Sequence, residues 1–157
     1  MQFDTFSYRH AEEILNSHLA IKRQINEVLN SAKEAPVKQG PEGLTSALMA
    51  AFQKLGWKSE VPVSDKEEHE QRFDLCKERV AIEIEFSRYE FLYRDYLRFL
   101  SAYDADKIDV GILITHAESG LARTKHPSGA PSLARVQADL AWLRPTITVP
   151  IWIIGLK

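Results

Sequence analysis

The segment from Val80 to Phe86 constrains the fold most strongly, because its residues alternate between apolar side chains and others. The apolar positions are Val80, Ile82, Ile84 and Phe86. This period of two predicts a β-strand with one face in a hydrophobic core. The opposite face then carries Glu83 and Glu85, whose Cα atoms lie roughly 6.6 Å apart along the strand. Two carboxylates so close together repel each other unless a positive group lies between them.

A third carboxylate comes from the preceding strand. Residues 74–77 are predicted to pair with this strand through a turn centred on Glu78-Arg79, so that Asp74 faces Glu83 directly. A two-residue or a four-residue loop gives this register, whereas an odd loop moves Asp74 to the other face. Three converging carboxylates suit a hard divalent cation such as Mg²⁺. The pattern therefore predicts a site where Mg²⁺ orients a water molecule and stabilises charge on a phosphate.

Composition narrows the class of protein. The chain has 157 residues, 45% of them hydrophobic and 27% charged, which predicts one globular domain over residues 1–157. No apolar run approaches the ~20 residues that span a bilayer, and no signal peptide is evident. The single cysteine cannot form an internal disulfide, so we expect a cytoplasmic location. A net charge of −2 means that any nucleic-acid partner must contact a local basic patch.

Two helices are predicted before the strands. The first covers about residues 8–31, with Ser7 as a possible N-cap and apolar side chains at spacings of three and four. His18 lies on its apolar stripe and is interpreted as a half-buried packing residue rather than a ligand. The second helix runs from Pro41 to a stop at Gly56.

The remaining pattern predicts strands at 57–63, 71–77, 79–87, 108–115 and 149–156. Helices are expected at about 88–103, with a broad aromatic face, and from Ser132 to Leu143, and a long surface loop at 116–131. This order predicts a mixed α/β (α+β) fold, with a central sheet of about five strands and helices on both faces.

The element order, with Asp74 on one strand and Glu83-Ile84-Glu85 on the next, resembles the core of the PD-(D/E)XK nucleases. More narrowly, residues 80–91 (VAIEIEFSRYEF) and 107–112 (KIDVGI) are similar to the BglII-type restriction endonucleases. The resemblance covers about residues 44–115 well and the ends by element order alone. It implies a Mg²⁺-dependent endodeoxyribonuclease with a restriction-endonuclease-like core.

The resemblance also implies roles for the acidic residues. Asp74 and Glu83 occupy the metal-binding positions, and Mn²⁺ is a possible substitute for Mg²⁺. Much of the superfamily has lysine where this chain has Glu85, although the related BamHI-type enzymes have glutamate there. Glu85 is therefore expected to act as a third metal ligand or as a general base. BamHI-type enzymes also use a glutamate on a helix, for which Glu42 is the candidate and Thr45 the alternative.

The expected partner is double-stranded DNA, and a two-fold homodimer is expected by analogy, because cleavage of both strands needs two sites. A cognate DNA methyltransferase in the same system is a further possible partner. The candidate contacts to the DNA backbone are Arg88, Arg94, Arg98, Arg123 and Lys125. The simpler interpretation of each is a solvated surface charge.

Two other interpretations remain open. The chain is alternatively a non-catalytic DNA- or partner-binding protein that retains the nuclease fold, as the absent lysine and the modest basic content would allow. In the third interpretation, Glu83 and Glu85 lie on a solvated sheet face and pair with Lys77 and Arg79.

Overall fold

The structure is a computed structural model that describes residues 2–31, 40–64, 70–123 and 129–157, without the side chains of residues 40, 41, 122 and 123. The elements in chain order are β1 (Phe3–Tyr8), α1 (Ala11–Ser17), α2 (Leu19–Ser31), α3 (Gly40–Lys54), β2 (Lys58–Pro62), β3 (Arg72–Lys77), β4 (Val80–Ile84), α4 (Phe91–Asp104), β5 (Val110–His116), α5 (Glu118–Arg123), α6 (Leu133–Trp142) and β6 (Ile151–Leu156).

One mixed sheet organises the fold, with the strand order β1-β6-β5-β4-β3-β2. Strands β4, β5 and β6 are parallel to one another. At one edge β1 pairs antiparallel with β6; on the other side β3 pairs antiparallel with β4, and the edge strand β2 pairs antiparallel with β3. The predicted α/β class is confirmed. The sheet has six strands rather than the five expected from the sequence.

The sixth strand lies at the N-terminus, where a continuous helix over residues 8–31 was predicted. That prediction is wrong for residues 8–10, because Tyr8 belongs to the strand Phe3–Tyr8 that pairs with β6, and it is wrong in its continuity, because the helix is interrupted at His18. The backbone then turns at Arg9 and His10, which have φ values of 51° and 61°. Ser7 does not occupy the N-cap position, although its hydroxyl accepts a hydrogen bond from Glu12 N–H at 3.0 Å.

His18 separates α1 from α2. Its side chain is 25% exposed, which confirms the predicted half-burial, and its Nδ1 and Nε2 lie 3.9 Å from Glu78 Oε2 and 3.8 Å from Asp109 Oδ2. These two carboxylates are contacts that the helical pattern could not show, because one lies in the β3–β4 turn and the other just before β5.

The β3–β4 hairpin has the predicted register. Leu75 pairs with Ile82 and Lys77 with Val80, across a two-residue turn at Glu78-Arg79. Glu78 adopts a positive φ of 53°, as a tight hairpin turn requires. This register places Asp74 beside Glu83 at the point where the ladder ends.

Helices cover both faces of the sheet, as predicted. The side chains of α1, α2 and α3 pack on the face that contains Ile82 and Ile84. The side chains of α4 and α6 pack on the opposite face, which contains Ala81. Because side chains alternate along β4, Glu83 and Glu85 lie on the α4 side. The sheet therefore directs these two acids into a helix-covered layer.

The later elements follow the sequence with two differences. The helix from Ser132 is confirmed, with the Ser132 side chain accepting from Arg135 N–H. The segment 116–131 is not all loop, because α5 forms within it, and residues 124–128, including Lys125, lie outside the described residues. On α4, Leu97 is 59% exposed, whereas Phe99 is fully buried.

Within the described ranges, no helix combines the length and the apolar character needed to cross a membrane.

Gly111 of β5 provides the space for Phe99 of α4. An added Cβ at Gly111 would lie 2.7 Å from two ring carbons of Phe99. We therefore expect Gly111→Ala to lower the free energy of unfolding by about 1–3 kcal/mol, measured by urea denaturation. The double variant Gly111→Ala/Phe99→Leu should lose less than the sum of the two single losses, because leucine leaves room for the methyl group. Strictly additive losses would contradict the steric explanation.

Candidate active site

Asp74 is fixed by the strand that carries Glu83. Its Oδ2 accepts a hydrogen bond from the backbone N–H of Ile84 at 2.8 Å, beyond the last ladder pair of β3 and β4. The Glu83 carboxyl group lies next to that of Asp74. Two adjacent strands therefore hold these two carboxyl groups against each other.

Glu83 lies in a buried acidic cluster between β4 and α4. Glu83 and Asp95 are each 2% exposed. Arg98 Nη1 donates to Glu83 Oε1 at 3.1 Å and to Asp95 Oδ1 at 3.4 Å, and Arg98 Nε donates to Gln71 Oε1 at 2.9 Å. One guanidinium group therefore links two buried carboxyl groups.

Burial sets the protonation of this acidic cluster. Desolvation, followed by the charges of Asp95 and Asp74, raises the pKa of Glu83 to about 9, although Arg98 opposes the rise. Desolvation and the charge of Glu85 raise the pKa of Asp95 to about 7. Desolvation also raises the pKa of Asp74, while the Ile84 N–H lowers it. The raised pKa of Glu83 therefore favours a protonated Glu83 near neutral pH when no cation is bound.

Glu85 shapes the end of the strand. It is 7% exposed, and its Oε1 accepts hydrogen bonds from Ser87 N–H, Ser87 Oγ and Arg88 N–H. The carboxyl group thereby fixes the turn after β4, and the side chain of Arg88 is left exposed.

A cleft of about 390 Å³ connects Glu85 with α3. Its walls are Glu42, Thr45, Ser46, Ile84, Glu85, Phe86 and Ser87. The structure therefore brings both helix candidates, Glu42 and Thr45, to the end of β4. Glu42 is exposed in the first turn of α3.

The candidate DNA contacts are distributed unevenly. Arg94 is 47% exposed, with its guanidinium carbon 4.7 Å from the Phe91 ring centroid. Arg98 is only 14% exposed and belongs to the acidic cluster. The backbone of Arg123 ends α5, but its side chain is not described, and Lys125 lies outside the described residues. Arg88 and Arg94 are therefore the candidates whose side chains the structure shows to be exposed.

A family model for "Restriction endonuclease BglII/BglIII" matches residues 3–156. The chain belongs to this family. Together with the fold, membership of the BglII/BglIII family makes the protein a DNA-cleaving restriction endonuclease. No curated protein sequence matches the chain.

Two solved structures resemble this BglII/BglIII-family nuclease. A crystal structure of restriction endonuclease BglII complexed with a DNA 16-mer has a TM-score of 0.81 at 24% identity, and the match covers 99% of this chain and 76% of that one. A crystal structure of free BglII has a TM-score of 0.74 at 24% identity, and the match covers 100% of this chain and 80% of that one. At this identity the likeness supports the fold.

The solvated-face interpretation of Glu83 and Glu85 is wrong for this nuclease, because both are buried. Their suggested partners are engaged elsewhere. Lys77 Nζ donates to Leu55 O at 2.6 Å, and Arg79 forms ion pairs with Asp106 and Asp109 at 2.6 and 2.8 Å. The negative charge of Glu83 and Glu85 must therefore be balanced by groups on the α4 side of the sheet.

The donor set at Asp74 and Glu83 fits a hard divalent cation. Both groups offer carboxylate oxygens, and burial raises the pKa of each, an effect that a bound cation would oppose. Among the residues that the structure describes, no group of three or more His, Cys, Asp or Glu side chains is arranged to hold a metal. Two carboxylates still suffice for Mg²⁺, which commonly completes its coordination with water and substrate phosphate. A third ligand from Glu85 stays a prediction.

Sequence reasoning missed Asp95. It lies on the buried face of α4 with Leu92, Tyr96 and Phe99. The available signal was the spacing: Asp95 follows Leu92 by three residues and precedes Phe99 by four, which places it on the apolar face of the helix. A carboxylate on such a face needs a partner.

The Glu83→Gln variant should be more stable than the wild type at about pH 8 in chelator, by at least the ~1.4 kcal/mol that corresponds to one pKa unit. The folded pKa of Glu83, about 9, exceeds its ordinary value of 4.5. The folded state therefore binds more protons between these values, and wild-type stability falls as pH rises through this window. Glutamine cannot ionise, so the difference should shrink towards about pH 5.

Urea denaturation at both pH values measures this effect. Glu27→Gln is the matched control, because Glu27 is exposed on α2 and should show no such change. A difference between Glu83→Gln and the wild type that is equal at both pH values would rule out the assigned protonation of Glu83.

Proposed function

We propose that this BglII/BglIII-family chain is a Mg²⁺-dependent type II restriction endonuclease that hydrolyses phosphodiester bonds in double-stranded DNA. The observation that carries the proposal is the contact between the Asp74 and Glu83 carboxyl groups at the end of the β3–β4 hairpin. Family membership supports the reaction, and the acidic cluster supports its dependence on a cation.

Asp74 and Glu83 would hold Mg²⁺, or Mn²⁺ in its place. When bound, such an ion lowers the pKa of a coordinated water and stabilises negative charge on a phosphate. The chain itself fixes the two carboxyl groups before DNA arrives. Asp74 is oriented by the Ile84 N–H, and Glu83 by Arg98.

Glu85 is the proposed general base, in the position where much of the superfamily has lysine. Its Oε1 is already held by Ser87 and Arg88, so its Oε2 is the atom that would accept the proton of the attacking water. The alternative role for Glu85 is that of a third metal ligand. Glu42, or Thr45 in its place, would act from the opposite wall of the cleft.

Arg88 and Arg94 would contact the DNA backbone, and Arg123 and Lys125 remain proposed contacts. Cleavage of both strands would need two copies of the site, so we also propose a two-fold homodimer. A cognate methyltransferase and a cytoplasmic location complete the proposal.

Cleavage of a supercoiled plasmid tests the proposed function. We expect nicked and linear products with Mg²⁺ and none with chelator. Asp74→Asn and Glu83→Gln should each reduce the rate by about 100-fold or more, because each removes charge stabilisation at the reacting phosphate. The exposed Glu27→Gln variant is the control and should cleave at the wild-type rate.

Two results would contradict the proposal. Equal cleavage by the wild type and by Asp74→Asn would place the activity at another site or in a contaminant. DNA binding without cleavage in Mg²⁺ or Mn²⁺, on substrates of diverse sequence, would instead favour the non-catalytic DNA-binding interpretation.

A further inference from the structure

Arg98 holds an unusual position for a predicted DNA contact. Its guanidinium group points into the layer between α4 and the sheet, where Nη1 donates to both Glu83 and Asp95. Gln71, beside the start of β3, accepts from Nε at 2.9 Å and fixes the orientation of the group. Arg98 is thus anchored at three acceptors and is only 14% exposed.

The charges around Arg98 do not balance. Three carboxylic side chains from β4, the turn after it and α4 are each at most 7% exposed, and the partly buried Asp74 adjoins them; the three are Glu83, Glu85 and Asp95. The charge of Arg98 acts on Asp74, Glu83 and Asp95 alike. Arg94 also approaches Asp95, but at 3.8 Å and from a half-exposed position.

We propose that Arg98 is the internal counter-ion of the acidic cluster, a positioning residue that holds Glu83 in place before a divalent cation binds and competes with that cation for the Glu83 carboxylate. This inference rests on the proposed function, because it assumes that the cation binds at Asp74 and Glu83. It reassigns Arg98 from DNA contact to the organisation of the metal site.

The hydrogen bonds show which oxygen of Glu83 is left available to a cation by Arg98. Arg98 pairs with Glu83 through Oε1, so Oε2 is the oxygen that Arg98 does not contact. A cation bound between Asp74 and Glu83 would lie close to the guanidinium charge, and the two positive charges repel each other in this poorly solvated layer. Removal of the Arg98 charge should therefore tighten binding of the cation to the ionised Glu83 carboxylate, even though it leaves the acids without a partner and so weakens the fold. Because Arg98 also lowers the pKa of Glu83, the affinity is compared after correction for the proton that Glu83 releases, from calorimetry at several pH values.

The test compares Arg98→Met with the wild type in two measurements, using full-length protein and Mn²⁺ alone, without DNA. In chelator, Arg98→Met should lower Tm by about 6 °C or more, as expected for a buried ion pair that loses one partner. Saturating Mn²⁺ should raise the Tm of Arg98→Met more than that of the wild type. Calorimetry should show that the variant binds Mn²⁺ about tenfold more tightly.

Matched variants separate charge from shape. Arg94→Met removes an exposed arginine one turn earlier on α4 and should change the Mn²⁺ affinity less than about threefold, because the charge of a half-exposed arginine is screened by solvent. Arg98→Lys keeps the charge and should restore an affinity near that of the wild type. Gln71 is exposed, and Gln71→Ala removes only the acceptor that holds Arg98 Nε. This variant should bind Mn²⁺ as tightly as the wild type or slightly more tightly.

Each outcome decides the matter. Weaker Mn²⁺ binding by Arg98→Met and Gln71→Ala would overturn the proposal and show that Arg98 only orients Glu83. An Arg98→Met protein that folds only with Mn²⁺ would support it, whereas one that fails to fold with or without Mn²⁺ would overturn it. Wild-type protein that neither binds Mn²⁺ nor cleaves DNA would refute the proposed function, while wild-type cleavage with unchanged Mn²⁺ binding by Arg98→Met would refute this inference alone.

Discussion

Carboxyl groups buried beside β4 repel one another, and both the placement of Arg98 and the proposed metal chemistry follow from this repulsion. Glu83 and Asp95 are each 2% exposed, and their pKa values rise to about 9 and about 7 because water is excluded and like charges are close. Such an arrangement costs folding free energy. The protein reduces this cost with Arg98 and with the raised pKa of Glu83, which favours its neutral form. A bound divalent cation would offset the repulsion more completely. The carboxyl groups that destabilise the fold are therefore the same groups that the proposed nuclease reaction would use.

The hairpin makes this strain unavoidable. Its two-residue turn fixes the register of β3 and β4, and a shift of one residue would move Asp74 to the opposite face. On that opposite face, Ile82 and Ile84 pack against α1, α2 and α3, so the apolar side of β4 cannot be exchanged with its acidic side. The same hydrophobic core that stabilises the protein therefore holds the acids where they repel one another.

Local patterns predicted most of this arrangement. The alternation in β4 and the tight turn at Glu78-Arg79 predicted the acidic face and its register. Pro41 and Gly56 predicted the limits of α3, and Ser132 predicted the start of α6. Two features depend on distant partners and were missed. The strand β1 is defined by its pairing with β6, more than 140 residues away, and its short segment has no strong period of its own. The contacts of Arg98 with Glu83 and Gln71 likewise cross between α4 and the sheet, so the position of this predicted DNA contact within the acidic cluster was not visible in the sequence.

Asp74 and Glu83 are proposed to share one divalent cation, and anomalous diffraction from crystals of the protein grown with Mn²⁺ and DNA can locate that ion. We expect an anomalous peak in contact with carboxylate oxygens of both Asp74 and Glu83, and loss of that peak in Glu83→Gln crystals. A peak bound to other residues, or no peak in crystals that contain intact protein and DNA, would contradict it.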